Sequence, residues 1–242
     1  MSLKRCFRLS PPGVEPAKLS GTLIVIEGPD SSGRTTQIQL LGQWLEQKGY
    51  AVSLVGLKRS TLVGAELEKA KQGNVLSPRT LSLFYATDFY DQMENVIVPA
   101  LRAGYVVLAD RYIYTLMARD IVRGADPAWV ESVYSMALVP DAVFYFMVSA
   151  RTLVERTFQA HSQLDYWESG MDTTVGDDWF ECFIKYQRRI RAEFLKMQKK
   201  YGFDVVNANR CVASLDRDLR MRVDQVLQRT LGAPGANGEK AP

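Results

Sequence analysis

Histidine is almost missing from this 242-residue chain. His161 stands alone, so no histidine-based metal site can form and a solvated loop residue is the expected reading. Cysteine is also scarce. Cys6, Cys182 and Cys211 are odd in number and widely spaced, which excludes a disulfide framework or a thiolate metal site and fits a reducing, cytoplasmic setting. No apolar run approaches the ~18 residues of a membrane helix, and the N-terminus lacks the apolar stretch of a signal peptide, so no membrane partner is expected. Net charge is only +3, too little to point to nucleic acid. What the chain does have is 47% hydrophobic and 24% charged residues, an ordinary globular mixture. Its length suits one α/β domain with embellishments, large enough to bury a core without staples.

Residues 1–20 read as a leader, either flexible or ordered, in which Pro11, Pro12, Gly13 and Pro16 interrupt any regular element. Residues 231–242 are rich in Gly, Ala and Pro and are expected to be a disordered tail. Between them short apolar runs alternate with helical periods. Strands are expected at 22–26, 51–55, 105–109, 142–147 and 204–206. Helices are expected at 35–48, at 77–103 as one or two pieces, and at 126–138, 152–160, 179–201 and 215–231. The 22–26 run, Thr-Leu-Ile-Val-Ile, is continuously apolar, as a strand covered on both faces should be. The alternation predicts a five-stranded parallel sheet between two helical layers, an α/β fold.

The strongest local signal is Gly28-Pro29-Asp30-Ser31-Ser32-Gly33-Arg34-Thr35, followed by Thr36. It fits the phosphate-loop pattern G-x-x-x-x-G-K-[ST] except that arginine replaces lysine, and it lies between a buried strand and an amphipathic helix, as that motif requires. Glycines let the backbone wrap a phosphate, and amides at a helix N-terminus face the anion. Residues 28–36 are therefore candidate ATP-binding residues, with the Thr35 hydroxyl available to Mg²⁺. Arg34 keeps the charge, but a planar guanidinium is not a neutral swap for a compact ammonium. Asp110-Arg111-Tyr112 sits where the third strand ends, the side of an open α/β sheet on which ligands bind. Asp110 can serve Mg²⁺ through water and orient an acceptor phosphate, and Arg111 can stabilise charge in transfer. Arg59 follows the second strand and suits an acceptor phosphate. Arg34, Asp110 and Arg111 are the catalytic candidates, and Thr35 and Asp110 the metal candidates.

In this order, Glu27 to Thr36, Arg59-Ser60-Thr61 and Asp110-Arg111-Tyr112 resemble the thymidylate kinase family of P-loop nucleoside monophosphate kinases from about residue 21 to 230. Leu83-Phe84-Tyr85-Ala86 is similar to the family's base-stacking helix segment. Val148 to Arg156 is similar to the entry of its lid, expected at about 157–178. Leu164-Asp165 and Glu168 echo the lid, and Trp179 to Arg188 the helix after it. The resemblance implies a P-loop NTPase fold with a lid segment and an ATP- and Mg²⁺-dependent transferase. That enzyme moves the γ-phosphate of ATP to dTMP, giving dTDP and ADP in nucleotide biosynthesis, as a homodimer. It also implies that Asp30 contacts the acceptor sugar, Arg59 and Arg111 hold the acceptor phosphate, Phe84 stacks on the base and Arg156 meets the adenosine end of ATP.

The departures cluster at the site. The phosphate-loop lysine is Arg34. Where the family has an arginine that donates to the thymine carbonyl, this chain has Asp88, which accepts when ionised. Arg119 and Asp120 replace an aromatic residue and a glutamine near sugar and base. The segment 157–178 contains no Lys or Arg. Asp88 and Arg119 are therefore substrate-binding candidates under three readings: an Arg119–Asp88 pair restoring the lost charge, a kinase for a different nucleotide or nucleoside, or a catalytically weak nucleotide-binding homologue.

Overall fold

The computed structural model describes residues 4–72, 76–160, 166–167, 170–173 and 178–231. Its centre is one parallel sheet of β1 (Thr22–Glu27), β2 (Val52–Gly56), β3 (Val106–Asp110), β4 (Ala142–Met147) and β5 (Asp204–Asn207), in the order β2-β3-β1-β4-β5. Every residue of β1 is buried, because strands pair on both its edges and helices cover both its faces. Alternate residues of β1 feed two cores. Leu23 and Val25 join Val107, Ala109 and Tyr145 under α3 (Pro78–Gln92), α5 (Ile113–Val122) and α8 (Trp179–Tyr201). Ile24 and Ile26 join Leu108 and Phe146 under α1 (Arg34–Gln47) and α9 (Val212–Leu231). This is the expected three-layer α/β/α fold.

Several elements differ from the sequence expectation for identifiable reasons. The 77–103 stretch starts as expected, with Ser77 accepting from the Thr80 amide and Pro78 in the first turn. It then runs through a π-helical turn, Met93–Ile97, into α4 (Val98–Arg102). Pro99 lacks the N–H that an unbroken α-helix would send to the Asn95 carbonyl, so the ladder widens there. Helix α6 (Pro127–Val133) has its Asp126 cap but stops short of Leu138. Two helices had no separate sequence signal. Helix α2 (Gly64–Gln72) is mostly polar, and α5 follows directly on the Asp-Arg-Tyr turn. Helix α7 (Ala150–Ala160) begins two residues earlier than periodicity suggested.

The leader packs onto the domain. Residues 5–8 run antiparallel to 135–139. Phe7 and Arg8 amides donate to the Ala137 and Ser135 carbonyls, the Val139 amide donates to the Arg5 carbonyl, and Cys6 bridges Leu138. Lys4 is ion-paired with Asp141 in a buried position, and Asp141 also accepts from the Leu23 amide. Pro16 begins a 3-10 turn, Pro16–Lys18. The prolines break regular structure as expected, but backbone pairing and apolar burial hold the segment down. The expected tail beyond residue 231 lies outside the described residues.

Phe7 packs edge-on against Tyr114 and Tyr201, with ring centroids 6.0 and 5.5 Å away. Phe7→Ala is expected to lower unfolding free energy by about 2 kcal/mol, a half-buried aromatic's share of a core truncation. Urea unfolding reads this, and an unchanged midpoint would show that the strap adds nothing to stability.

Candidate active site

The register of the sheet assembles the site. Ile26 lies opposite Asp110, and Asp110 lies opposite Gly56, so the carboxyl ends of β1, β3 and β2 finish level. The loop after β1, the turn after β3 and the loop after β2 therefore share one edge of the sheet, although they are far apart in sequence.

The phosphate loop leaves β1 at Gly28, where φ is 152° and an added Cβ would meet Phe146 at 3.0 Å. Only glycine fits both demands. Ser31 at φ 58° and Gly33 at φ 89° turn the chain into α1. The Arg34 side chain is 7% exposed and folds back into the loop. Its Nε donates to Asp110 at 3.0 Å, and its Nη1 donates to the Gly28 and Pro29 carbonyls, the latter at 2.6 Å. The Thr35 hydroxyl donates to the other Asp110 oxygen at 2.8 Å. Burial would raise the Asp110 carboxyl, but the Arg34 charge and the two hydrogen bonds outweigh it and hold the group below its ordinary value. Arg156 reaches the same loop from α7, its Nη1 donating to the Ser32 carbonyl at 3.3 Å.

The turn after β3 is held from below by Glu27, which the sequence pattern marks only as the residue before the phosphate loop. Glu27 is fully buried and accepts from the Tyr112 amide at 2.9 Å, the Thr115 amide at 3.2 Å and the Thr115 hydroxyl. Burial pushes its carboxyl up, and these hydrogen bonds partly offset the shift. The clamp fixes Arg111 at φ 71°, a conformation that costs a non-glycine residue about 1–2 kcal/mol. The Arg111 and Arg119 guanidiniums both pair with Asp30, Arg119 at 3.2 Å. Burial opposes ionisation of Asp30, but the charges of Arg111, Arg119 and Arg34 hold its carboxyl well below the usual range. Among the described residues Arg111 Nε is buried without a hydrogen-bond partner, and Arg111 lines a small cavity with Asp30, Arg119 and Tyr186. An anionic ligand there would satisfy such a donor.

Arg59 is exposed at the carboxyl end of β2. Its Nε and the Asp110 Cβ each lie 3.3 Å from the point a Gly56 Cβ would occupy, so Arg59 leans over the strand end beside Asp110. Phe84 is half-buried, with one side packed on the core.

Two expectations for Asp88 are corrected. It is 0% exposed, and its oxygens accept from the Lys58 amide at 2.8 Å, the Ser60 amide at 2.9 Å and the Gln92 amide group at 3.1 Å. A carboxylate so occupied does not reach a substrate. The Arg119–Asp88 pair gives way for the same reason: Arg119 turns to Asp30, while Asp88 faces the loop after β2.

Of the expected lid, Leu164, Asp165, Glu168 and His161 lie outside the described residues. Trp167 is buried and donates its indole N–H to the Lys71 carbonyl at the end of α2. Asp172 accepts from Arg123 Nε at 2.6 Å, and Arg123 also donates to the Trp167 carbonyl at 2.7 Å. Arg123, in the turn that ends α5, thus fastens this segment, a role that no sequence pattern marked.

The model of the thymidylate kinase family matches residues 26–218. The chain belongs to the thymidylate kinase family, and so to the ATP-dependent nucleoside monophosphate kinases. It is 36% identical over 214 residues to the probable thymidylate kinase 2 of Saccharolobus solfataricus, covering 88% of this chain and 100% of that protein. It is 28% identical over 215 residues to a probable thymidylate kinase of Thermococcus gammatolerans, covering 85% and 97%. It is 29% identical over 225 residues to a thymidylate kinase of Exiguobacterium, covering 88% and 95%. Among the described residues no helix is long and apolar enough to cross a membrane.

Asp120 provides a pH test of the site's interior. Burial pushes its carboxyl from 3.8 up to about 6, against a hydrogen bond from Ser82 and the charges of Arg123 and Arg119. Folded Asp120 therefore keeps its proton where the unfolded chain has lost it. The stability this provides is complete below about pH 4 and is lost as pH rises through about 6, at most about 3 kcal/mol. Asp120→Asn should gain stability relative to wild type between pH 4 and pH 8, read by urea unfolding at both. A difference that does not change with pH would contradict the buried acid.

Proposed function

We propose that this protein transfers the γ-phosphoryl group of ATP to dTMP, producing dTDP and ADP. The observation that carries the reading is the level ending of β1, β3 and β2, which brings the phosphate loop, Asp110-Arg111 and Arg59 to one edge. Thymidylate as the acceptor rests on family membership.

The loop amides and the start of α1 would take the donor phosphates. Arg34 now uses loop carbonyls and Asp110 as its partners. In the ATP complex its Nη1 would exchange those carbonyls for β- and γ-phosphate oxygens while Nε stays on Asp110. Thr35 and Asp110 place two hard oxygen donors side by side. No group of three His, Cys, Asp or Glu among the described residues could hold a metal by itself, which suits Mg²⁺ carried mainly by phosphate and water oxygens. Bound there, Mg²⁺ would neutralise charge on the β- and γ-oxygens. Arg111 and Arg59 flank Asp110 and would take the acceptor phosphate, with Asp30 toward its sugar and Phe84 toward its base. Arg156, bonded to the loop at Ser32, would stand beside the donor nucleotide. A changed base was suggested chiefly by Asp88, and that carboxylate is spent on the protein's own amides. A homodimer in the cytoplasm remains part of the proposal.

A coupled assay with the monophosphates of thymidine, uridine, cytidine, guanosine and adenosine tests the reaction. Preference for dTMP is expected, and protein that binds ATP yet phosphorylates none of them would overturn the proposal. Arg34→Ala should lower kcat by about 100-fold or more, since it removes the loop's cation from the transferring group. A value within about twofold of wild type would show that the cation is not used. Arg34→Lys then asks whether the guanidinium is adapted to this loop or merely tolerated there.

A further inference from the structure

Asp88 is a fully buried carboxylate whose oxygens are taken by donors of the protein itself. Its two oxygens bracket Arg59 in sequence: Oδ2 accepts from the Lys58 amide at 2.8 Å and Oδ1 accepts from the Ser60 amide at 2.9 Å. The amides on either side of Arg59 are thus held by one rigid planar group. Lys58 sits at φ 63°, a left-handed conformation that a lysine does not adopt without compensation. Gln92, one helical turn along α3, donates to Asp88 at 3.1 Å and accepts from the Gly56 amide at 3.3 Å, which joins the same carboxylate to the end of β2. Asp91 accepts from the Ser60 hydroxyl at 2.5 Å, and that hydroxyl also accepts from the Leu62 and Val63 amides ahead of α2. Two acids of α3 therefore hold the loop after β2 at several points, while Arg59 itself stays exposed over Gly56 beside Asp110.

We infer that Asp88 is a positioning residue for acceptor recognition: by gripping the Lys58 and Ser60 amides it presents Arg59 at the level of Asp110, where the phosphate of a nucleoside monophosphate is received. The inference rests on the proposed role of Arg59 as an acceptor-phosphate ligand. Physical chemistry favours a carboxylate here. Two backbone N–H groups point at one spot, and an ionised acid accepts both, whereas an amide side chain in its place would set a donor against one of them. An acceptor-side arginine fixed in advance loses less entropy on binding a phosphate than one on a loose loop. The constraint acts on the acceptor side alone, because the donor phosphates lie in the loop after β1.

The test is the Asp88→Asn variant beside Arg59→Ala and the double variant, assayed with dTMP and ATP, with thermal melting and ATP binding as controls. Asp88→Asn is expected to raise KM for dTMP about 10-fold or more, with KM for ATP within about twofold of wild type. Arg59→Ala is expected to do the same. In the double variant the effects should not add, because Asp88 acts through Arg59. An unchanged KM for dTMP in Asp88→Asn, a matching loss toward ATP, or full additivity would overturn the inference while leaving Arg59 a phosphate ligand. An unaffected Arg59→Ala would instead overturn the role of Arg59, and the inference with it. Should Asp88→Asn not melt cooperatively, Asp91→Ala removes the acceptor of the Ser60 hydroxyl and loosens the same loop from a half-buried position. The same selective rise for dTMP is then required, and its absence counts against the inference.

Discussion

The site depends on Glu27, a carboxylate with no access to solvent that ties the end of β1 to the turn after β3. A buried acid is costly unless its oxygens are satisfied. Here three donors from Tyr112 and Thr115 do so. Those donors define where α5 begins, and the left-handed conformation of Arg111 follows from the turn they close. The clamp acts together with the Arg111 amide, which donates to the Ile26 carbonyl at 3.0 Å, and with the Arg111–Asp30 ion pair to hold an arginine at φ 71°. The strain at Arg111 is thereby maintained by hydrogen bonds buried beneath it.

Above that clamp the site is a balance of charges at close quarters. Arg34, Arg111 and Arg119 share Asp30 and Asp110. Each guanidinium is held by a carboxylate, so the three cations sit in partly buried pairs and are not left to repel one another. The same logic explains why an arginine is accommodated where the motif has lysine. Its fork spans from Asp110 to the Gly28 and Pro29 carbonyls, a reach that a single ammonium lacks.

Much of this was legible in the chain. The continuous apolar run of β1, the glycine pattern after it and the strand–helix alternation announced a parallel sheet with a phosphate loop, because these are short-range demands of burial and backbone conformation. Arg59, Asp110 and Arg111 could be named since each follows a recognisable strand. Asp88 was assigned to the substrate from its place in a similar family, and only its neighbours show that it serves the loop after β2. Arg123 and Glu27 escaped notice because their partners, Asp172 and Thr115, lie far along the chain and no spacing rule connects them. The prolines of the leader signalled irregular structure correctly, but the pairing of residues 5–8 with 135–139 is a long-range event.

By itself the sequence determined the local conformations: where glycine must sit for the phosphate loop, where helices are capped, and which runs are apolar enough to be buried on both faces. Tertiary structure decided which charge faces which. A side chain's partner depends on the register that brings Ile26, Asp110 and Gly56 level, and on the helices folded over that edge. Electrostatic and hydrogen-bonding roles are properties of those meetings, so Asp30, Asp88 and Arg119 acquired theirs only when the sheet was assembled.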